Sequence, residues 1–91
     1  MVEKRNRLRI IYDILNMIRN HNNSIKPTPL LRYSNLSSQS FSTYLVELME
    51  KGFVAEGHDK KNRKILMLTG RGLIYLQKYK VITKFVEDFN L

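Results

Sequence analysis

Ninety-one residues with no cysteine, two histidines and 16 Lys or Arg against 8 Asp or Glu describe one domain with a modest core, hiding about 60% of the surface of the unfolded chain. Disulfides and thiolate metal sites are excluded, and His21 and His58 stand too far apart in sequence for a metal cluster, so no metal, cofactor or small-molecule ligand is expected. No apolar run approaches membrane-spanning length and the opening MVEKRNR is charged, which leads to the expectation of a soluble, cytoplasmic protein without membrane contact.

Residues 5–20, RNRLRIIYDILNMIRN, carry helical periodicity. Leu8, Ile11, Tyr12, Leu15 and Ile18 fall on one stripe, which is expected to face the core. Ile10, Ile14 and Met17 fall nearly opposite, where a lone small domain would place polar groups, so this helix is expected to have two apolar partners. The turn-rich HNNS at 21–24 ends it, and residues 24–26 are expected to form a short strand before Pro27. Thr28 followed by Pro29 reads as a hydroxyl cap and a first-turn proline for a short helix over 29–34. Asn35-Leu36-Ser37 breaks that helix, and Ser38 is the expected cap of a third, which runs to Lys51 and stops at Gly52. Its buried stripe is Phe41, Tyr44, Leu45, Leu48 and Met49; Gln39, Thr43, Val46 and Glu50 face away. Two short strands follow, at 53–57 and 64–68, joined by a hairpin turn in HDKKNR. Thr69 then caps a last helix that runs nearly to Leu91.

The excess charge is unevenly spread. Residues 1–20 hold five basic side chains against two acidic, residues 21–57 three against three, residues 58–80 seven against one, and residues 81–91 one against two. With a pI near 10.0, these localised cationic segments form an electrostatic footprint for a polyanion, a role in which nucleic acid is commoner than membrane. An ordinary solvated hairpin mixes its charges, whereas the turn here sets Lys60, Lys61, Arg63 and Lys64 against Asp59 alone. An enzyme would need convergent titratable groups. The chain has no Cys nucleophile, no His near Ser and Asp in a known pattern and no glycine-rich phosphate loop, so it is not expected to be one.

The element order, helix, short strand, helix, helix, strand, strand, helix, is that of a winged helix-turn-helix, an α+β fold. The stretches LRIIYDIL, YLVELMEKGFV and LMLTGRGLIYL resemble the small archaeal winged-helix DNA-binding proteins, which include chromatin-type proteins and plasmid or viral regulators. Their pattern of Tyr-Leu-x-x-Leu, a Gly-apolar-apolar strand start and Leu-Thr-x-x-Gly is met by Tyr44, Leu45, Leu48, Gly52, Phe53, Val54, Leu68, Thr69 and Gly72. The likeness covers nearly the whole chain.

That resemblance implies a winged-helix DNA-binding domain over 1–72, a dimerisation helix over 73–91 and double-stranded DNA as partner. It makes the hairpin a wing whose Lys60, Lys61, Arg63 and Lys64 neutralise phosphates, and the N-terminal half of the third helix the base reader in the major groove. On that half the exposed residues are Ser38, Gln39, Ser40, Ser42 and Thr43. Gln39 suits a bidentate pair with adenine, while the hydroxyls serve bases or phosphates and specify weakly; Ser38 also reads simply as the helix cap. Lys26 and Arg32 flank the helix-turn-helix and are further phosphate candidates, as are Lys4, Arg5, Arg7 and Arg9 at the N-terminal end. No Arg or Lys lies on the third helix before Lys51, which points to modest sequence discrimination.

Such proteins dimerise through the last helix, and the periodicity of this chain leads the same way. Leu73 and Leu76 lie on one face, suited to the domain's own core. Tyr75, Tyr79, Ile82, Phe85, Val86 and Phe89 centre on nearly the opposite face, and pairing them with Ile10, Ile14 and Met17 of a second copy would hide both sets in a twofold homodimer. The expected function is a nucleoid-associated transcriptional regulator that binds duplex DNA with tolerant or modest specificity. A chromatin-type coat, an RNA-binding winged helix and a protein-interaction module stay open.

Overall fold

A computed structural model describes residues 5–91. Its elements are α1 (Arg7–Asn20), α2 (Pro27–Ser34), α3 (Ser38–Glu50), β1 (Val54–His58), β2 (Lys64–Leu68) and α4 (Gly70–Asp88). Side-chain caps start three of the helices: Asn6 accepts from the Arg9 N–H at 2.8 Å, Ser37 from Ser40 at 3.1 Å and Thr69 from Gly72 at 3.1 Å, each satisfying an N–H that has no partner inside the helix. By contrast α2 has no side-chain cap; Pro27 opens it, with Lys26 in the capping position, where the missing proline N–H costs nothing. Two expected caps are therefore displaced. Thr28 lies inside the first turn of α2 and Ser38 is the first residue of α3, because Lys26 and Ser37 already hold the extended backbone, with ψ of 152° and 158°, that a cap requires.

Asparagine, whose short polar side chain tolerates positive φ, supplies most of the left-handed turn positions: Asn22 and Asn23 after α1, Asn35 between α2 and α3, and Asn62 in the hairpin, with Gly52 taking the one after α3. The strands pair antiparallel with Val54 opposite Leu68 and His58 opposite Lys64. The strand expected at 24–26 shrinks to one bridge, in which Ile25 and Leu66 exchange backbone hydrogen bonds at 3.2 and 2.8 Å. Pro27 cannot donate to a ladder, so the pairing ends there.

The core joins Ile11, Ile14, Leu15 and Ile18 of α1 to Leu30, Phe41, Leu48, Val54, Leu66 and Leu76 from every other element. Because α1 packs against α2, α4 and β2 together, its second stripe is covered within the chain. Ile14, expected at a dimer interface, is 1% exposed, and Ile10 and Met17 pack against the same core. Leu8 departs in the opposite sense: expected inside, it is half-exposed. It lies in the first turn of α1, which meets α4 through its backbone, the Tyr75 hydroxyl donating to the Leu8 carbonyl at 2.8 Å.

Gly72 explains the Leu-Thr-x-x-Gly pattern. A Cβ there would stand 2.4 Å from the Phe53 carbonyl oxygen, so only glycine permits this approach of α4 to the start of the sheet. The contact also fixes the rotation of α4. Residues 72, 75, 76 and 79 share one helical face: Leu76 is buried, and Tyr79 stacks on Tyr12 with ring centroids 4.5 Å apart. Tyr75 and Tyr79, expected to face a second copy, thus turn toward the chain's own α1, while Leu73, expected inside, is exposed.

Candidate nucleic-acid interface

Ser38, Gln39, Ser40, Ser42 and Thr43 are all exposed on α3, together with Val46. The outward face has a physical origin: Phe41 and Leu48 are drawn into the core, and residues on the opposite arc must then meet solvent. Since Ser37 holds the cap, the Ser38 hydroxyl is released from that task. The Thr43 hydroxyl donates to the Gln39 carbonyl at 3.0 Å, which leaves its oxygen lone pair and methyl group for an outside partner.

The hairpin is organised by Asp59. One carboxylate oxygen accepts the Lys61 and Arg63 backbone N–H groups at 2.9 and 2.8 Å, and the other accepts Arg63 Nε at 2.9 Å. The Arg63 backbone N–H, first among these causes, holds the Asp59 carboxyl below its ordinary range. Lys64 Nζ lies 2.8 Å from Glu56. Of the four expected phosphate ligands, Arg63 and Lys64 are therefore ion-paired inside the hairpin; Lys60 and Lys61, at the tip, have no carboxylate partner among the described residues. Asp59 is not alone, because strand register brings Glu56 beside Lys64.

The N-terminal cations separate by role. Arg5 bonds Asp13 at 2.9 Å and the Ser34 carbonyl at 2.6 Å, tying the chain start to the end of α2. Arg9 bonds Asp13 at 3.0 Å, and that hydrogen bond, followed by the charge of Asp13, raises its already high pKa. Arg7 instead reaches α3. Its Nη1 donates to Glu47 Oε1 at 2.8 Å and its Nη2 to Oε2, with Lys51 Nζ 3.7 Å from the same carboxylate. The sequence places no Arg or Lys on α3 before Lys51; the fold brings Arg7 to it from forty residues away, and no periodic signal could reveal it. Lys4 lies outside the described residues. Lys26 stands at the cap of α2, and Arg32, in its last turn, holds its guanidinium 6.0 Å from the Tyr33 ring centroid.

A second surface lies on α4. Beyond Tyr79 the helix exposes Val81, Ile82, Phe85, Val86 and Phe89. This band adjoins a groove of about 460 Å³ lined by Leu8, Phe53, Arg71, Ile74, Tyr75, Lys78, Tyr79 and Ile82. Arg71, which sequence reasoning did not single out, holds its guanidinium 5.3 Å from the Phe53 ring centroid.

Three helices closed by a two-stranded wing, with a fourth helix after it, define a winged helix-turn-helix protein. The chain matches the winged helix-turn-helix family over residues 4–87 and belongs to it. It superposes on Sso10a-2, a DNA-binding protein from Sulfolobus solfataricus, with a TM-score of 0.75 and 22% identity, covering 94% of this chain and 86% of that one. The PcaV transcriptional regulator from Streptomyces coelicolor superposes with a TM-score of 0.73 and 19% identity, covering 88% of this chain and 60% of that one. At such identities the likeness is one of fold. No curated protein matches the chain by sequence.

Proposed function

We propose that this protein is a homodimeric regulator, of the small archaeal winged-helix kind, that binds double-stranded DNA with modest sequence specificity. The observation that carries this reading is the exposed polar face of α3 in a fold whose hairpin ends in unpaired cations. In it, Gln39 reads a base edge, Ser38, Ser40, Ser42 and Thr43 bond bases or phosphates, and Lys60 and Lys61 neutralise phosphates from the wing. Arg63 and Lys64 contribute after exchanging their carboxylates for phosphate, and Lys26 and Arg32 hold the backbone from α2. A reading face made mostly of hydroxyls gives weak discrimination. Sso10a-2 is described as DNA-binding and PcaV as a transcriptional regulator, which supports the assignment.

Residues 1–72 supply the DNA-binding unit and 73–91 the dimer contact. The apolar band of Ile82, Phe85, Val86 and Phe89, continuous with the groove at Leu8 and Ile74, is the kind of surface that a soluble monomer rarely leaves open. A second copy covers both with one twofold operation. Titration against random and genomic duplexes at fixed salt tests the function: a specificity ratio above about 10³ marks a regulator and one near unity a coat, whereas absence of duplex binding overturns both. Sedimentation tests the dimer, and a monomer at micromolar concentration defeats it.

A further inference from the structure

We infer that the polar groove between the first turn of α1 and the recognition helix is a seat for one DNA backbone phosphate, held by Arg7 and masked in the free protein by Glu47. The inference rests on the DNA-binding reading above and adds to it a site and a competitor. The groove measures about 350 Å³ and is lined by Arg7, Gln39, Ser40, Thr43, Tyr44 and Glu47. A guanidinium carries five N–H donors. Arg7 gives two N–H groups to Glu47 and keeps the rest for another oxygen ligand.

The remaining walls are also rich in donors. The Ser40 and Tyr44 hydroxyls have no side-chain partner among the described residues, so each can bond an oxygen in the groove. The one carboxylate present, Glu47, is already opposed by both Arg7 and Lys51. A groove with surplus donors and a neutralised acid suits a multi-oxygen anion, so phosphate is the fitting ligand chemistry. Gln39 and Thr43 bound the groove on the side of the outward arc of α3, and Ser40, Tyr44 and Glu47 carry it round the helix toward Arg7, which places it at the flank of the reading face, where the backbone bordering a major groove would run.

Glu47 makes the seat conditional. An exposed ion pair is weak and readily exchanged, and more than half of the Arg7 side chain is accessible. When phosphate takes the guanidinium, Lys51 remains beside Glu47 to accept the released carboxylate. Arg5 and Arg9 share Asp13, which does not line this groove, and Arg5 also holds the end of α2.

The test is a salt series of duplex-DNA titrations on the full chain, comparing the wild type with Arg7→Gln and Glu47→Gln, with thermal melting recorded alongside. Arg7→Gln should bind less tightly and reduce the slope of log affinity against log salt by about 0.9 per bound subunit, the signature of one lost phosphate contact. Glu47→Gln should bind several-fold more tightly at each salt, with a slope no smaller than that of the wild type. If both variants shift only the melt while the wild type binds with its salt dependence intact, the pair is a strap between helices; the inference falls and the DNA reading survives. If the wild type binds no duplex, both fall. Inorganic phosphate at matched ionic strength separates a free ion from the backbone: a phosphate-induced melting shift that Arg7→Gln abolishes, with unchanged DNA slopes, would assign the seat to the free ion and overturn the backbone assignment.

Discussion

Asp59 governs how many cations the wing can offer. With Arg63 held by its carboxylate and Lys64 by Glu56, Lys60 and Lys61 at the tip are the wing cations left for the proposed phosphate contacts. Lys60→Ala with Lys61→Ala should lower the salt slope by about 0.9 for each lost phosphate contact, equally for all sequences. Arg63→Ala and Lys64→Ala should each lower it less, because each cation is already paired with a carboxylate in the free protein and has less counterion to release. Titration of Asp59 offers a separate check. Its folded-state pKa is depressed below 3.8, first by the Arg63 backbone N–H, so the turn's order is fully present above the ordinary carboxylate value and is lost as pH falls through the depressed one. Protection of the Lys61 and Arg63 amides, taken relative to the unstructured exchange rate at each pH, should fall over that acid window alone. The four wing cations are visible in composition, but their pairing is not, because Glu56 meets Lys64 only once the strands adopt their register.

At the scale of elements, the displaced cap on α3 makes a sharp contrast. Ser37→Ala should cost about 0.5–2 kcal/mol of stability, and Ser38→Ala should stay within about 0.5 kcal/mol; denaturant midpoints at constant m-value would separate the two. Along the same helix, Phe41→Ala should cost about 3–5 kcal/mol as a buried phenyl. Gln39→Ala should leave stability nearly untouched while reducing preference between DNA sites by about 1–3 kcal/mol, if that side chain pairs with a base. Gly72→Ala must push against a backbone carbonyl rather than a mobile side chain, so a loss of at least about 1–3 kcal/mol is expected. The α3 face was legible because Phe41, Tyr44, Leu45 and Leu48 keep strict helical spacing. The rotation of α4 was not, because a single glycine contact with Phe53 sets it and no periodicity records that contact. The second stripe of α1 was visible as a stripe, yet what covers it depends on three elements distant in sequence.

For the whole molecule, the apolar band past Tyr79 allows the proposed assembly to be tested apart from folding. Ile82 and Val86 are exposed, so Ile82→Asp with Val86→Asp should leave the fold intact, produce a monomer in sedimentation and weaken DNA binding severely, since one recognition helix is lost from each complex. Ile14→Asp should instead unfold the chain, as it would bury a charge in the core. Of the residues expected at a dimer contact, Ile82, Phe85, Val86 and Phe89 are open where α4 leaves the core, whereas Ile14 is enclosed. The polyanion itself is tested most directly by competition among duplex DNA, single-stranded DNA and double-stranded RNA of equal length at one salt concentration, using the wild type and the Lys60→Ala, Lys61→Ala variant. The expected result is preferential retention of duplex DNA by the wild type, weakened in the variant. Equal or tighter binding of double-stranded RNA, or binding that the variant leaves unchanged, would contradict a DNA reader that grips phosphate through its wing.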